Sequence, residues 1–384
     1  MTAKRTQDIT SFIVMDVLEK ACEFEARGVN IIHLEVGEPD FDTPACVNEA
    51  ACKALADGHT HYTHSLGLLQ LREAIAAYYY RCYKVMVDPD RIVVTSGSSP
   101  AIFMAFAAIL DPGDEVIISD PHYACYPNFI KFLDARPVTV PVYEENGFQY
   151  RPDAIKAKTG NKTRAILINS PSNPTGNLLD ADRIEAITGL GPYVVSDEIY
   201  HGLVYEGKEH SILEFTDEAF VLNGFSKLFA MTGLRLGYLI APKKYIRTIQ
   251  KIHQNFFISA NTVSQLAGIA ALTGADRDVQ RMKAIYDERR RFMIKRLRQI
   301  GLGITVEPTG AFYVFANVKK FSGDSYKLAF DILEKARVGV TPGIDFGANG
   351  EGYLRFSYAN SLENIAEGMD RLEAYFKNLE RHAD

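Results

Sequence analysis

Cysteine pairs, long apolar runs and signal-like segments are scarce or absent in this sequence. The five cysteines are an odd number and no two stand in a C-x-x-C pair, so we predict reduced thiols and neither a disulfide framework nor a zinc site. No apolar run approaches the roughly twenty residues that a membrane span needs. Residues 1–10 are polar and lack the apolar segment of a signal peptide. We therefore expect a cytoplasmic protein without a membrane partner.

Basic clusters and nucleotide-binding motifs are also missing. The net charge is −6 with no basic block, which argues against nucleic acid as a partner. No G-x-G-x-x-G motif follows the first predicted strand, so a doubly wound nucleotide-binding protein is not favoured. His59, His61 and His64 are closely spaced, but no matching set of acidic or cysteine ligands accompanies them, and we predict no metal.

The remaining pattern predicts two α/β domains. From residue 45 onward, short β-branched runs that are apolar on both faces alternate with helical patterns, as in a parallel sheet buried between helices. Beyond Pro242 the pattern changes to long helices and then to a mixture of strands and helices. We predict a large domain with a mostly parallel central sheet flanked by helices (residues 45–285). A smaller α/β domain would combine an N-terminal arm (1–44) with residues 286–384.

Hydrophobic periodicity and turn residues place the individual elements. The predicted helices are residues 11–27, 45–56, 68–83, 100–110, 122–133, 180–188, 243–255, 262–300 (broken near Gly274), 326–336 and 362–379. The predicted strands are residues 31–36, 91–95, 115–119, 138–142, 165–169, 194–196, 220–222, 303–306, 312–318, 338–340 and 353–357. Phe312 and Tyr313 on one of these strands are predicted to be core residues.

Polar residues follow several of these strands, at the edge where parallel sheets bind ligands. Residues 95–99, Thr-Ser-Gly-Ser-Ser, open a helix whose amides could hold a phosphate, although helix capping also explains them. Asp197 ends an apolar strand, and a buried carboxylate requires a cationic partner such as a protonated heterocycle. Lys227 lies in a turn after another strand, where an amine can form a covalent bond with a carbonyl.

Several motifs together resemble one enzyme family. They are S-N-P-T-G at 172–176, S-D-E-I-Y at 196–200, S-K at 226–227 followed by G-x-R-x-G-Y at 233–238, and R-F-S-Y at 355–358. In this combination the chain resembles the class I and II aminotransferases, pyridoxal-phosphate enzymes of fold type I. The resemblance runs from Gly37 to Arg355.

The resemblance implies pyridoxal 5'-phosphate as cofactor and assigns a role to each matching residue. Lys227 would bond to the cofactor aldehyde and move protons, Asp197 would pair with the pyridinium nitrogen, and Tyr200 would bind the ring oxygen. The other implied cofactor contacts are Gly97, Ser98, Ser99, Ser226 and Arg235 around the phosphate, Tyr123 stacked on the ring, Asn173 at the ring oxygen, and Tyr62 from a neighbouring subunit. Arg355 would bind the substrate α-carboxylate, assisted by Asn173 and the Gly37 backbone.

The implied activity is transfer of an amino group between an L-amino acid and a 2-oxo acid, with ping-pong kinetics, in a homodimer with shared active sites. One position departs from the family pattern: Gly224 stands where many relatives carry a phosphate-binding serine. No lysine, arginine or histidine lies between Arg91 and Asp114, which favours substrates with neutral or apolar side chains. Residues 12–15, Phe-Ile-Val-Met, are candidate lid residues.

Three alternatives remain at this level. Relatives that prefer aspartate obtain a second cation from elsewhere, so an aspartate-type aminotransferase is one of them. A carbon-sulfur lyase would use the same lysine, acid and arginine. A cofactor-binding sensor is disfavoured, because residues 1–10 leave no room for a DNA-binding module before the first helix.

Overall fold

A seven-stranded sheet between two groups of helices organises the computed structural model, which describes residues 2–381. The strands are β1 (Ile32–His33), β2 (Ile92–Thr95), β3 (Glu115–Asp120), β4 (Arg136–Pro141), β5 (Thr163–Asn169), β6 (Tyr193–Asp197), β7 (Phe220–Gly224), β8 (Gly237–Ile240), β9 (Tyr313–Asn317), β10 (Val338–Gly339), β11 (Thr341–Pro342) and β12 (Tyr353–Ser357).

The helices cover both faces of this sheet and continue into the second half of the chain. They are α1 (Lys4–Gln7), α2 (Ile13–Glu25), α3 (Ala45–Ala56), α4 (Leu69–Tyr83), α5 (Ser98–Ile109), α6 (Tyr126–Phe132), α7 (Pro152–Lys158), α8 (Ala181–Thr188), α9 (Lys243–Phe256), α10 (Thr262–Gly274), α11 (Asp276–Ile300), α12 (Ser325–Ala336) and α13 (Leu362–Arg381).

The order of the large sheet is β2-β8-β7-β6-β5-β3-β4. All its neighbouring pairs are parallel except those of β8, which is antiparallel to β2 and to β7. Successive residues of a strand enter different hydrophobic clusters: Val94 packs with Ile166 and Val221 on one face, and Val93 with Leu167 on the other. Because both faces are buried, the central strands are mostly apolar, as the sequence predicted, whereas the edge strand β4 is more exposed.

The smaller part of the molecule joins the two ends of the chain. β1 pairs in parallel with β10, and β12 lies between β11 and β9 in an antiparallel sheet. The predicted α/β fold class is therefore confirmed, including a small unit built from N-terminal and C-terminal segments. The predicted domain boundaries stay a prediction; the one at 285/286 falls inside the continuous helix α11, and residues 1 and 382–384 lie outside the described part of the chain.

Several elements differ from the predictions, and two short ones, α1 and β11, had no predicted counterpart. β8 and α7 were not predicted, and the strand predicted at 303–306 is absent from the described structure, where only Gly303 forms a bridge, with Asn317. The amide of Thr305 instead donates to the Glu144 carboxylate at 2.8 Å, so its hydrogen bond is made with a side chain rather than a strand.

Residues 2–381 contain neither a membrane-spanning helix nor a cluster of metal-ligating side chains. No helix there is long and apolar enough to cross a membrane. No group of three or more histidine, cysteine, aspartate and glutamate side chains in that range is arranged to hold a metal ion.

Candidate active site

A cavity of about 320 Å³ lies at the carboxyl ends of the large sheet's strands. Of the site residues predicted from sequence, all but Gly97 and Tyr62 line it: Gly37, Ser98, Ser99, Tyr123, Asn173, Asp197, Tyr200, Ser226, Lys227, Arg235 and Arg355. The fold therefore brings together residues that are more than 300 positions apart in the sequence.

Lys227 lies in the turn that follows β7. Its ammonium donates a hydrogen bond to the Gly37 carbonyl at 2.6 Å and lies 5.8 Å from the centre of the Phe312 ring. Burial lowers the pKa of Lys227 to about 8; Glu38 opposes this shift, and Arg355 adds to it. An amine with this pKa is partly neutral at pH 7 and can act as a nucleophile and as a base.

Asp197 is the last residue of β6 and is buried. One of its oxygens accepts from the Tyr126 hydroxyl at 2.7 Å and the other from the Ile199 amide at 3.2 Å. Neither donor is cationic, and burial raises the pKa of Asp197 to about 6. A carboxylate in this environment is suited to a cationic group bound in the cavity, which would lower its pKa and keep it ionised.

The next residue, Glu198, points away from the cavity because successive side chains of an extended chain face opposite sides. Its carboxylate accepts from Ser211 Oγ and the Ile212 amide, both at 3.0 Å, and from the Tyr79 hydroxyl at 3.1 Å. Only the first acid of the Asp-Glu pair is thus available to a ligand, which agrees with the sequence assignment of Asp197.

Arg355 is buried at the centre of β12, where three hydrogen bonds and two ring contacts hold its guanidinium, and one of these hydrogen bonds is donated to the Glu35 carbonyl. It donates to Asn173 Oδ1 at 2.9 Å and to Thr341 Oγ1 at 3.1 Å, and its centre lies 4.4 Å from the Tyr313 ring and 4.9 Å from the Phe346 ring. Its Nε is buried and has no hydrogen-bond partner within residues 2–381. A bound carboxylate would complete this set of donors.

Two hydroxyl groups meet beside this arginine. Tyr200 and Tyr313 are buried, and their hydroxyl oxygens lie 2.8 Å apart. The prediction that Phe312 and Tyr313 are core residues is correct for burial, but Tyr313 also lines the cavity. Gly37 is needed at this contact, because a Cβ there would lie 2.1 Å from the Tyr313 hydroxyl oxygen.

The N-terminus of α5 forms the anion-binding side of the cavity. Gly97 precedes the helix with φ +93°, and a Cβ on it would meet Arg235 Nη2 at 2.6 Å. β8 packs closely against the start of α5, since a Cβ on Gly237 would lie 2.8 Å from the Ser98 amide nitrogen. Free amides at the start of a helix and a nearby guanidinium are the groups that bind a phosphate.

Gly224 is not among the residues that line the cavity. It ends β7 and is packed against β8, where a Cβ would lie 3.0 Å from the Leu236 carbonyl oxygen and 3.1 Å from the Gly237 Cα. The close contact between β7 and β8 explains why a glycine occupies position 224. Ser226, two residues later, does line the cavity.

Residues from the N-terminus cover part of the cavity. Phe12, Val14 and Met15 line it, whereas Ile13 packs in a separate hydrophobic cluster. The Phe12 ring lies edge-on to Tyr123 at a centroid distance of 5.8 Å. Tyr62, in contrast, is 80% exposed and does not reach the cavity of its own chain.

Sequence reasoning missed Tyr126 and the role of Tyr313. Tyr126 lies within the predicted helix 122–133, where an aromatic residue is usually a core residue, but α6 starts only at Tyr126 and directs its hydroxyl to Asp197. The only sequence signal was the pair Tyr123 and Tyr126, which lie one helical turn apart.

The fold and site define an α/β enzyme of the aminotransferase class, and comparisons with known proteins identify its family. The family model described as aminotransferase class I and II matches residues 29–372. A (5-formylfuran-3-yl)methyl phosphate transaminase of Methanocaldococcus jannaschii is 44% identical over 98% of this chain and 99% of its own. An aspartate aminotransferase of Pyrococcus horikoshii is 41% identical over 97% and 96%.

A solved structure agrees with these sequence matches. That protein comes from Methanococcus jannaschii and is described as similar in its active site to kynurenine aminotransferases. The two structures match with a TM-score of 0.92 at 44% sequence identity, over 98% of this chain and 100% of that chain. This chain belongs to the class I and II aminotransferases. It is an aminotransferase that depends on pyridoxal phosphate.

The residues in the cavity fit this cofactor. Asp197 is a buried acid whose two hydrogen-bond donors are neutral, as a pyridinium partner requires. The start of α5 combines a glycine with Ser98 and Ser99 beside Arg235, as a phosphate group requires. Lys227 lines the same cavity and provides an amine for the aldehyde.

Proposed function

We propose that this aminotransferase acts on L-amino acids with neutral, apolar or aromatic side chains and on the matching 2-oxo acids, in a ping-pong reaction. The observation that carries the proposal is the composition of a single cavity, which contains Lys227, Asp197 and Arg355 together with a set of apolar side chains that includes Phe12, Val14, Met15, Val36 and Ile102. Within the described chain, the cations that line it are Lys227, Arg235 and Arg355. Each has a role in the proposed site, so none is left for a second substrate carboxylate.

Pyridoxal phosphate supplies, when bound, an aldehyde that accepts the amino group and a ring that withdraws electrons. Asp197 would hold the pyridinium nitrogen, and Tyr200 and Asn173 the ring oxygen. Tyr123 would stack on the ring. The phosphate would be held by the α5 N-terminus (Gly97, Ser98 and Ser99), Ser226, Arg235 and Tyr62 of a partner subunit.

The chain's own residues then orient the substrate and move its proton. Arg355 binds the α-carboxylate by a bidentate contact, with Asn173 and the Gly37 backbone beside it. Lys227 Nζ takes the proton from the substrate α-carbon, because its lowered pKa leaves part of the amine neutral at pH 7. The amino acid and the oxo acid use the same arginine in turn, which requires one product to leave before the second substrate binds.

We also infer a homodimer with shared active sites in the cytoplasm. Tyr62 is 80% exposed and Phe256 70% exposed, which is unusual for large aromatic side chains in a monomer. The Phe256 ring contacts the partly buried Phe103 at a centroid distance of 6.3 Å. A second copy would cover such a surface and could place its Tyr62 near the α5 N-terminus.

One observation favours a second candidate, aspartate as the amino donor: a relative 41% identical is an aspartate aminotransferase. The test is to measure kcat/KM for phenylalanine, leucine, alanine and aspartate with 2-oxoglutarate as acceptor. We expect phenylalanine and leucine to exceed aspartate by at least about tenfold, since an unpaired carboxylate would be buried against apolar walls. Preference for aspartate would contradict the proposal.

Two further measurements separate the remaining alternatives. Release of pyruvate from cysteine conjugates without an oxo acid would indicate a carbon-sulfur lyase instead. Lys227→Ala should lose the visible absorption band of the bound cofactor, while the wild-type band should change when a true amino donor is added.

A further inference from the structure

The N-terminal lid, residues 12–15, is held over the cavity by a carboxylate from the opposite end of the chain. α2 begins at Ile13, and its N-cap residue, Phe12, has no side chain that can cap it. Asp345 fills this function: one of its oxygens accepts from the Ile13 amide at 3.0 Å and the other from the Val14 amide at 3.2 Å. A carboxylate at this position also interacts favourably with the helix dipole.

Asp345 is itself fixed next to the substrate-binding arginine. It lies in a short 3-10 turn, Gly343–Phe346, and the following residue, Phe346, packs 4.9 Å from the Arg355 guanidinium. The Ile344 amide donates to Ser325 Oγ at 3.1 Å, and the Phe346 carbonyl accepts from the His122 amide at 2.8 Å. The turn is thus held from both sides, and Asp345 is a rigid anchor for the lid.

The lid provides part of the apolar lining of the cavity. Phe12 and Val14 line the cavity on either side of Ile13, and Phe12 contacts Tyr123 edge-on. Without the Asp345 contacts, two amides of the first turn of α2 would lose their buried acceptors, and this turn would fray. The wall would then be lost while Lys227, Asp197 and Arg355 stayed in place.

We propose that Asp345 is a positioning residue that fixes the lid formed by residues 12–15 and so determines affinity for substrates with large apolar side chains. This inference rests on the proposed function for its substrate class. Its physical content, the anchoring of α2 by Asp345, is independent of which substrate the enzyme uses.

The test compares Asp345→Asn with wild type. The amide keeps the shape of the carboxylate but presents one oxygen and one NH₂ group, so it can accept from only one of the two backbone amides. We expect KM for phenylalanine to rise about tenfold, as for loss of a helix cap, with kcat within about twofold and KM for alanine unchanged. Hydrogen exchange of residues 12–25 should become faster, and the cofactor should bind with unchanged affinity.

Matched variants separate this role from general destabilisation. Asp180→Ala removes the cap of a different helix, α8, where Asp180 accepts from the Arg183 amide at 2.9 Å, and should leave both KM values unchanged. Phe12→Ala removes the wall directly and should reproduce the phenylalanine effect with Asp345 intact.

One outcome would overturn the role of Asp345, and another would overturn the proposed substrate class. Unchanged exchange of residues 12–25 in Asp345→Asn, or equal effects on phenylalanine and alanine, would overturn the role of Asp345. A wild-type enzyme that prefers aspartate, together with faster exchange in the variant, would overturn the proposed substrate class while supporting the anchoring of the lid.

Discussion

Asp197 and Tyr126 act as a pair at the scale of single residues. Burial raises the pKa of Asp197 to about 6, and the hydrogen bond from Tyr126 opposes this shift by favouring the charged form. The proposed pairing with the cofactor ring needs that charged form. Tyr126 therefore supports the charge of Asp197.

We predict that Tyr126→Phe lowers kcat by about tenfold or more, because a hydrogen bond to a charged group contributes about 1.5–3 kcal/mol. The acid limb of the kcat profile should move to higher pH, since the pKa of Asp197 rises when the donor is removed. Tyr150→Phe is the control: it removes a buried hydroxyl that donates to the Leu167 carbonyl at 3.0 Å, outside the cavity. Equal behaviour of the two variants, with an unshifted acid limb, would contradict the prediction.

The site residues that carry sequence motifs were predictable, whereas the side chains that they contact were not. Lys227, Asp197 and Arg355 carry motifs that are visible in the sequence, and the cavity brings them together. Tyr313 is 113 positions from Tyr200, so no local pattern shows that their hydroxyl groups meet. Tyr126 was assigned to a helix interior because the start of α6 was placed four residues too early.

At the scale of elements, β8 positions the N-terminus of α5. This four-residue strand lies between β2 and β7, and its first residue, Gly237, contacts the backbone around Gly97. Its short apolar run follows the motif residues directly, and an apolar run alone does not reveal strand direction. The sequence therefore predicted the parallel strands, which alternate with helices, and missed the antiparallel one.

Gly237→Ala should weaken cofactor binding by about tenfold or more. The new Cβ would lie 2.6 Å from the Gly97 carbonyl carbon and 2.8 Å from the Ser98 amide nitrogen, so the start of α5 must shift. Such overpacking costs about 1–3 kcal/mol, and Tm should fall as well. Titration of the apoprotein with cofactor measures the affinity. The control is Gly160→Ala, where a Cβ meets nothing within 4 Å, and its cofactor Kd and Tm should match those of wild type. A wild-type cofactor Kd in Gly237→Ala would show that the contact between β8 and α5 is not needed for binding.

At the scale of the whole molecule, each active site is proposed to be completed by a second chain. Tyr62 is exposed and lies outside the cavity of its own chain, although the family resemblance assigns it to the phosphate. If the assignment holds, Tyr62→Phe should weaken cofactor affinity about tenfold, through loss of one hydrogen bond to a charged group.

Mixing the subunits of two variants tests this arrangement directly. A dimer of Lys227→Ala and Tyr62→Phe chains contains one site with an intact lysine and the partner's intact tyrosine. We expect this site to bind cofactor with wild-type affinity, at half the wild-type stoichiometry per dimer. If the mixture binds no more tightly than the Tyr62→Phe protein alone, Tyr62 acts within its own chain or not at all.

The pairing of β1 with β10 has a consequence for the order of folding during synthesis. Ile32 and His33 leave the ribosome early, but their partners are Val338 and Gly339, so about 300 residues must be made before this two-stranded sheet can form. The large sheet can form sooner, because the partner of β2 is β8, which ends at Ile240. The first residues of the chain are thus among the last to reach their native place, after the large sheet that carries Asp197 can form.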